Sequence, residues 1–103
     1  MVSIIYVTIG SVDEAQKIAH ALVEEKLAAC VHIIPKIESV YRWKGKIEEA
    51  NESVLLVKTT EKHVERTIQT IRNLHSYEVP EILVLPPVGG LKEYLAYVED
   101  ETA

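Results

Sequence analysis

One cysteine, one tryptophan and no phenylalanine occur among 103 residues. A single thiol closes no internal disulfide, so a small disulfide-stapled scaffold is excluded, and the paired spacings of a zinc finger are missing with it. Only four glycines and four prolines are present, and neither a low-complexity tract nor a repeat interrupts the chain. No apolar run approaches the roughly 20 residues needed to cross a bilayer. The first residues, MVSIIYVTIGSVDEAQ, lack a basic leader and a small-residue cleavage site. A cytoplasmic protein with no membrane partner is the expectation. Basic residues are also scarce, 11 against 16 acidic ones for a net charge of -5, which argues against a nucleic-acid partner because phosphate neutralisation needs a basic face. Lys36, Arg42, Lys44 and Lys46 do gather locally, with Glu38 among them. That pattern reads as a solvated arm.

What is present is enough for one core. A 48% hydrophobic, 26% charged chain of this length is expected to fold as a single domain, residues 1–103. VSIIYVTI, residues 2 to 9, is a β-rich run apolar enough to be covered on both faces. Gly10 ends it. Ser11 or Asp13 then caps a helix through about Lys26, with Ala15, Ile18, Ala19 and Leu22 at helical spacing. CVHIIPKIESVYRW, residues 30 to 43, is a long extended segment in which Pro35 favours an edge position or a bulge. KGK turns the chain and residues 47 to 59 return as its partner strand. A second helix fits residues 61 to 74, a strand residues 81 to 86 and a third helix about Leu91 to Glu99. The order predicts an α+β fold, a ferredoxin-like split βαβ with an antiparallel sheet, a long β-hairpin and a C-terminal helix, the helices lying on one face.

Few residues suggest chemistry. Nucleophile-elbow, phosphate-loop, dinucleotide and zincin motifs are all missing, so no enzyme is expected. Cys30 and His32 lie two apart on one strand, so both project from one face and could share a soft metal such as copper. Two ligands do not make a site, and packing on the sheet without metal is the favoured reading. His75 falls at the end of the second helix, where capping explains it. His20 and His63 read as helix surface, and Glu78 and Glu81 as loop carboxylates. Tyr41, Trp43 and Ile47 sit near the tip of the charged hairpin, where an unpaired apolar edge would aggregate unless something covers it.

EKLAACVHIIPKIESVYRWKGKIEE (25–49), LLVKT (55–59) and LHSYEVPEIL (74–83) together resemble the CutA divalent-cation-tolerance family, in order and over nearly the whole chain. The resemblance implies a cytoplasmic homotrimer, similar to the PII signalling proteins, with a link to copper or another divalent cation as cofactor. Cys30 and His75 are the positions matching the family's attributed metal ligands; His32, from its spacing to Cys30 alone, is a weaker third candidate. His32 stands where the family usually has asparagine and Ser76 where it usually has proline, and Val7 occupies the strand region where some relatives carry a further cysteine. In such a trimer each hairpin would add to the next subunit's sheet, placing Tyr41, Trp43 and Ile47 at the interface and leaving clefts between subunits for a metal ion or small-molecule ligand. A metal-responsive or PII-like trimer ranks first, an interaction scaffold second and an unrecognised enzyme last.

Overall fold

The computed structural model describes residues 1–87 and 89–103. Along the chain run β1 (Val2–Ile9), α1 (Val12–Glu24), β2 (Cys30–Trp43), β3 (Lys46–Thr60), a 3-10 turn (Glu61–His63), α2 (Val64–Leu74), β4 (Ile82–Leu85) and α3 (Lys92–Glu101). The strands form one sheet in the order β2-β3-β1-β4 with every neighbouring pair antiparallel, which is the ferredoxin-like arrangement expected. Alternation along β1 sends Ile5, Val7 and Ile9 to one face, where they meet Leu55 and Val57 of β3, Ala15, Ile18 and Leu22 of α1 and Ile71 of α2. Burying each large aliphatic side chain in this layer stabilises the fold by about 1.5–3 kcal/mol.

Local chemistry sets the ends of α1. Of the two candidate caps, Ser11 is the one used: its Oγ accepts from the Glu14 backbone N–H at 3.2 Å. At the other end Lys26 adopts φ 59, and the Lys26 and Leu27 amides donate to the Val23 and Leu22 carbonyls. These two bonds close a Schellman motif, with Leu27 packed beside Leu22 in the core. A lysine thus occupies the left-handed position that glycine takes most easily. Residues 61 to 63, expected as the start of the second helix, form the 3-10 turn, and no side chain caps either segment.

The placement of the third helix corrects the expectation of helices on one face. Thr59 and Thr60 point to opposite sides of the sheet: the Thr59 hydroxyl donates to the Leu27 carbonyl on the α1 side, whereas Thr60 Oγ1 lies 3.4 Å from Thr102 Oγ1 just past α3. The Tyr97 hydroxyl donates to the Ala29 carbonyl, and Val98 is fully buried outside the α1 core cluster. The physical reason lies in the topology. The handedness rule constrains a helix that joins two strands of one sheet, as α1 and α2 do; α3 joins no two of the described strands, and its apolar stripe takes the face that α1 and α2 leave open.

The β2–β3 pair is the longest in the sheet and carries its one irregularity. Ile34 opposes Val54 but Ile37 opposes Glu52, so Pro35 and Lys36 together face Ser53 in a bulge, with Lys36 at φ 60. The extra residue inverts the alternation of β2. Beyond it Ile37, Ser39, Tyr41 and Trp43 share the side of Glu52, Tyr6 and Thr8. Lys44 and Gly45, at φ 49 and 80, make the two-residue turn, a conformation in which glycine at the second position is nearly strain-free.

Candidate functional site

Because of that inversion, the far half of the hairpin and the 77–81 loop enclose an open cleft of about 720 Å³. The sheet supplies Thr8 and Glu52 to it, the hairpin Tyr41 and Trp43, and the loop Tyr77 and Glu81. The Tyr77 hydroxyl donates to Glu52 Oε2 at 2.7 Å, and the Thr8 hydroxyl to Glu81 Oε1 at 3.3 Å. Burial, then the bond to Glu52 and that carboxylate's charge, hold the Tyr77 phenol protonated well above the usual tyrosine range. Gly10 leaves room for the Tyr77 ring, since a Cβ there would stand a tight 3.2 Å from the Tyr77 oxygen.

His75 holds the loop in place. Its side chain is buried, Nε2 donates to the Thr8 carbonyl at 2.8 Å and Nδ1 accepts from the Tyr77 amide at 3.1 Å, so both ring nitrogens are engaged and the tautomer is set. The expected capping role gives way to this one: the imidazole bonds β1 rather than the carbonyls of its own helix. Its ring also lies 4.8 Å from that of Tyr77. Glu14 of α1 fastens the same loop, accepting from the Ser76 amide at 2.8 Å and the Ser76 hydroxyl at 2.9 Å. A proline at residue 76 could make neither bond, so the serine of this chain gains two.

A second cluster lies under α3. Cys30 opposes Lys58 across the β2–β3 ladder, and the Lys58 ammonium stands 2.8 Å from His32 Nδ1 and 4.0 Å from Cys30 Sγ. Lysine has donors only, so Nδ1 is the acceptor. Tyr94 of α3 faces this group; burial raises its phenol's pKa above the usual range, with the neighbouring Cys30 thiol adding to the shift. The structure therefore brings Cys30 and His32 together, as their spacing required, and keeps His75 apart from them. The Thr8 carbonyl that holds His75 is four residues along β1 from Ile4, which pairs with Lys58, a distance of about 13 Å at the usual strand rise.

These donors do not fit a copper ion held by one chain. A closed soft-metal site takes three or four ligands. Cys30 and His32 supply two, with an ammonium already seated on them, and both nitrogens of His75 are in use. Among the described residues no three His, Cys, Asp or Glu side chains are grouped to hold a metal.

Of the three hairpin residues expected at an interface, Tyr41 and Trp43 lie on the cleft side, while Ile47, opposite Arg42, projects from the other. The Lys44 ammonium sits 5.6 Å from the Trp43 ring centre. Sequence reasoning missed Glu52, Tyr77 and Lys58. A signal existed for Glu52: it is two residues before Val54 on the same face of β3 and so continues a buried row.

The fold agrees with those of known proteins. The family described as CutA1 divalent ion tolerance protein matches residues 3–101. The divalent-cation tolerance protein CutA of Thermus thermophilus is 44% identical over 102 residues, spanning 99% of each chain. Its solved structure superposes with a TM-score of 0.96 over 100% of both chains. The structure of the periplasmic divalent cation tolerance protein CutA of Archaeoglobus fulgidus also gives a TM-score of 0.96, at 41% identity and 100% coverage of both. The chain spans only 54% of the length of the chloroplastic protein CutA of Arabidopsis thaliana, to which it is 40% identical over 99 residues. With matches of this identity running from one end of the sheet to the other, the chain belongs to the CutA1 divalent ion tolerance family.

Proposed function

We propose that this protein works as a cytoplasmic homotrimer in the tolerance of, or response to, divalent metal ions such as copper, binding a metal or a small ligand at the clefts between subunits without catalysing a reaction. The observation that carries the trimer is the overhang of the hairpin. β1 stops pairing at Ile9 opposite Ser53, so from Glu52 back to Lys46 the β3 strand has only β2 beside it. In that stretch Val40 is 70% exposed, Tyr41 44%, Trp43 41% and Ile47 67%. A two-stranded ribbon showing apolar groups on both sides is marginal in water and gains stability by adding to another sheet. A threefold ring closes such a head-to-tail contact with no edge left over.

The same reading accounts for the incomplete donor sets. If copper binds, Cys30 and His32 would need further ligands from a neighbouring subunit or from the solution. A PII-like docking scaffold, the alternative, would use the same hairpin but capture its partner in the absence of metal.

Native mass spectrometry with and without copper tests the proposal, because it reads subunit number and metal count together. The expected result is a trimer that survives dilution, loses assembly with Trp43→Ala and keeps it with Lys44→Ala. An aromatic anchor at an interface centre is worth about 2 kcal/mol or more and a charge at a wet rim little. A monomer in dilute native buffer, or a trimer indifferent to loss of both Tyr41 and Trp43, would overturn it.

A further inference from the structure

Under α3 the sheet holds a thiol beside an amine, an arrangement that neither assembly nor metal binding accounts for. Cys30 and Lys58 are directly opposed in the β2–β3 ladder, so both side chains leave the same face. Lys58 is only 9% exposed, and a lysine buried this far is ordinarily paired with an anion. Among the described residues the ion pairs are Met1 with Glu99 and Glu14 with His75, so no carboxylate holds its ammonium. It faces instead an imidazole nitrogen, His32 Nδ1 at 2.8 Å, and a sulfur, Cys30 Sγ at 4.0 Å. One of these neighbours can take its proton and the other can bond to it once the proton has gone.

The cover over the thiol selects what reaches it. Tyr94 of α3 faces Cys30, and the Tyr97 hydroxyl fastens the same helix to the Ala29 carbonyl next to it. A bulky thiol must displace this helix, whereas hydrogen peroxide is small enough to pass it. The chain has no second cysteine to capture an oxidised sulfur, so the amine held 4.0 Å away is the internal partner within reach. We propose that Cys30 and Lys58 form a sulfenamide crosslink between β2 and β3 when a hydroperoxide oxidises the thiol. In the first step sulfur attacks one peroxide oxygen, the S–O bond forms, the O–O bond breaks, and the departing hydroxide takes the thiol proton as water, leaving a sulfenic acid. The Lys58 ammonium then passes a proton to His32 Nδ1, and the free amine attacks the sulfur. The S–N bond forms as the S–O bond breaks, and the hydroxide leaves as water with the second amine proton. One peroxide is reduced to two waters and the protein loses two hydrogens. An external thiol reverses the step by attacking the sulfur and releasing the amine.

Hydrogen peroxide is the probe, added to the intact protein in EDTA so that no bound metal carries the oxidation, with the products mapped by tryptic mass spectrometry. The chain is expected to lose two hydrogens. Residues 27–36 should appear joined to residues 47–62, because a blocked Lys58 escapes trypsin, and dithiothreitol should separate them again. Lys58→Met, which keeps an unbranched side chain without the amine, should lower the crosslinked fraction at least tenfold and leave sulfinic acid on Cys30 instead. His32→Ala should consume the thiol at the wild-type rate but close the bond more slowly. No crosslink in the wild-type chain, a loss of two hydrogens that persists in Lys58→Met, a disulfide between two chains in place of the crosslink, or closure equally fast without His32 would each overturn the inference. The wild-type map requires no variant, so the test stands even where Lys58→Met fails to fold. Subunit number is read separately, and a missing crosslink leaves the assembly proposal untouched.

Discussion

Replacing Tyr77 by phenylalanine isolates the hydrogen bond on which the cleft is built. The ring is retained, so the contact with His75 at 4.8 Å between centroids survives. What disappears is the donor 2.7 Å from Glu52 Oε2. Leaving a buried acceptor unpaired costs about 1–3 kcal/mol, more when it is charged. Because the cleft is open and water can reach part of the carboxylate, a loss of about 1.5 kcal/mol is expected, in the lower half of that range. Urea unfolding at one fixed protein concentration measures it, since assembly makes stability concentration-dependent. A cycle with Glu52→Ala should return a coupling of about 1 kcal/mol between the two sites. The pH dependence supplies a second check. The folded phenol ionises well above its unfolded value of 10.0, so in that range the unfolded chain gives up the proton first. The Tyr77 contribution is therefore complete below about pH 10 and declines as pH rises past it, narrowing the gap between wild type and Tyr77→Phe. Equal stability of the two proteins at pH 7, or a gap that widens above pH 10, would refute this account.

Two further outcomes are expected. Lys26→Gly should stabilise the protein by about 0.5–1 kcal/mol, because the left-handed backbone costs a side chain about 1–2 kcal/mol and glycine's extra unfolded entropy offsets part of the gain; a destabilised variant in thermal unfolding would contradict the Schellman reading. The Cys30 thiol, half-buried and facing Tyr94, should react with a bulky disulfide reagent far more slowly in the native protein than in urea, and Tyr94→Ala should speed the native reaction at least tenfold. Equal native and denatured rates would show that α3 does not shield it.

Periodicity made most of the fold legible. The alternation in VSIIYVTI, the helical spacing of Ala15, Ile18, Ala19 and Leu22 and the Lys44-Gly45 turn each act over a few residues, and each element formed where its pattern lay. The face taken by α3 was not legible, because its stripe of Tyr94, Leu95 and Val98 fits either side of a sheet and the handedness rule that places α1 and α2 does not constrain it. The site was harder. Cys30 and His32 were found through their spacing within one strand, but Lys58 reaches them only through the β2–β3 register, which a bulge has already altered. His75 looked like a helix end; its partner is a carbonyl 67 positions earlier. Glu52 sits among the charges of IEEANES and resembles its solvated neighbours until Tyr77 closes over it.

The bulge at Pro35 and Lys36 also governs how one molecule can meet another. β2 is an outer strand of the sheet, so its free side displays amide and carbonyl groups to any extended chain that approaches. Pro35 has no amide to offer and Lys36 turns the backbone aside, which divides that display into a stretch before residue 35 and a stretch after residue 36. A strand sliding along the edge finds no run of equivalent positions: moved by two residues, it meets the interruption at a different point of its own ladder. The molecule thus carries a notch that admits one alignment and penalises the stepped offsets by which flat edges stack into fibrils. Deleting Lys36 would remove the bulge, leaving only the missing Pro35 amide to interrupt the edge, and at the same stroke turn Tyr41 and Trp43 to the opposite side of the ribbon.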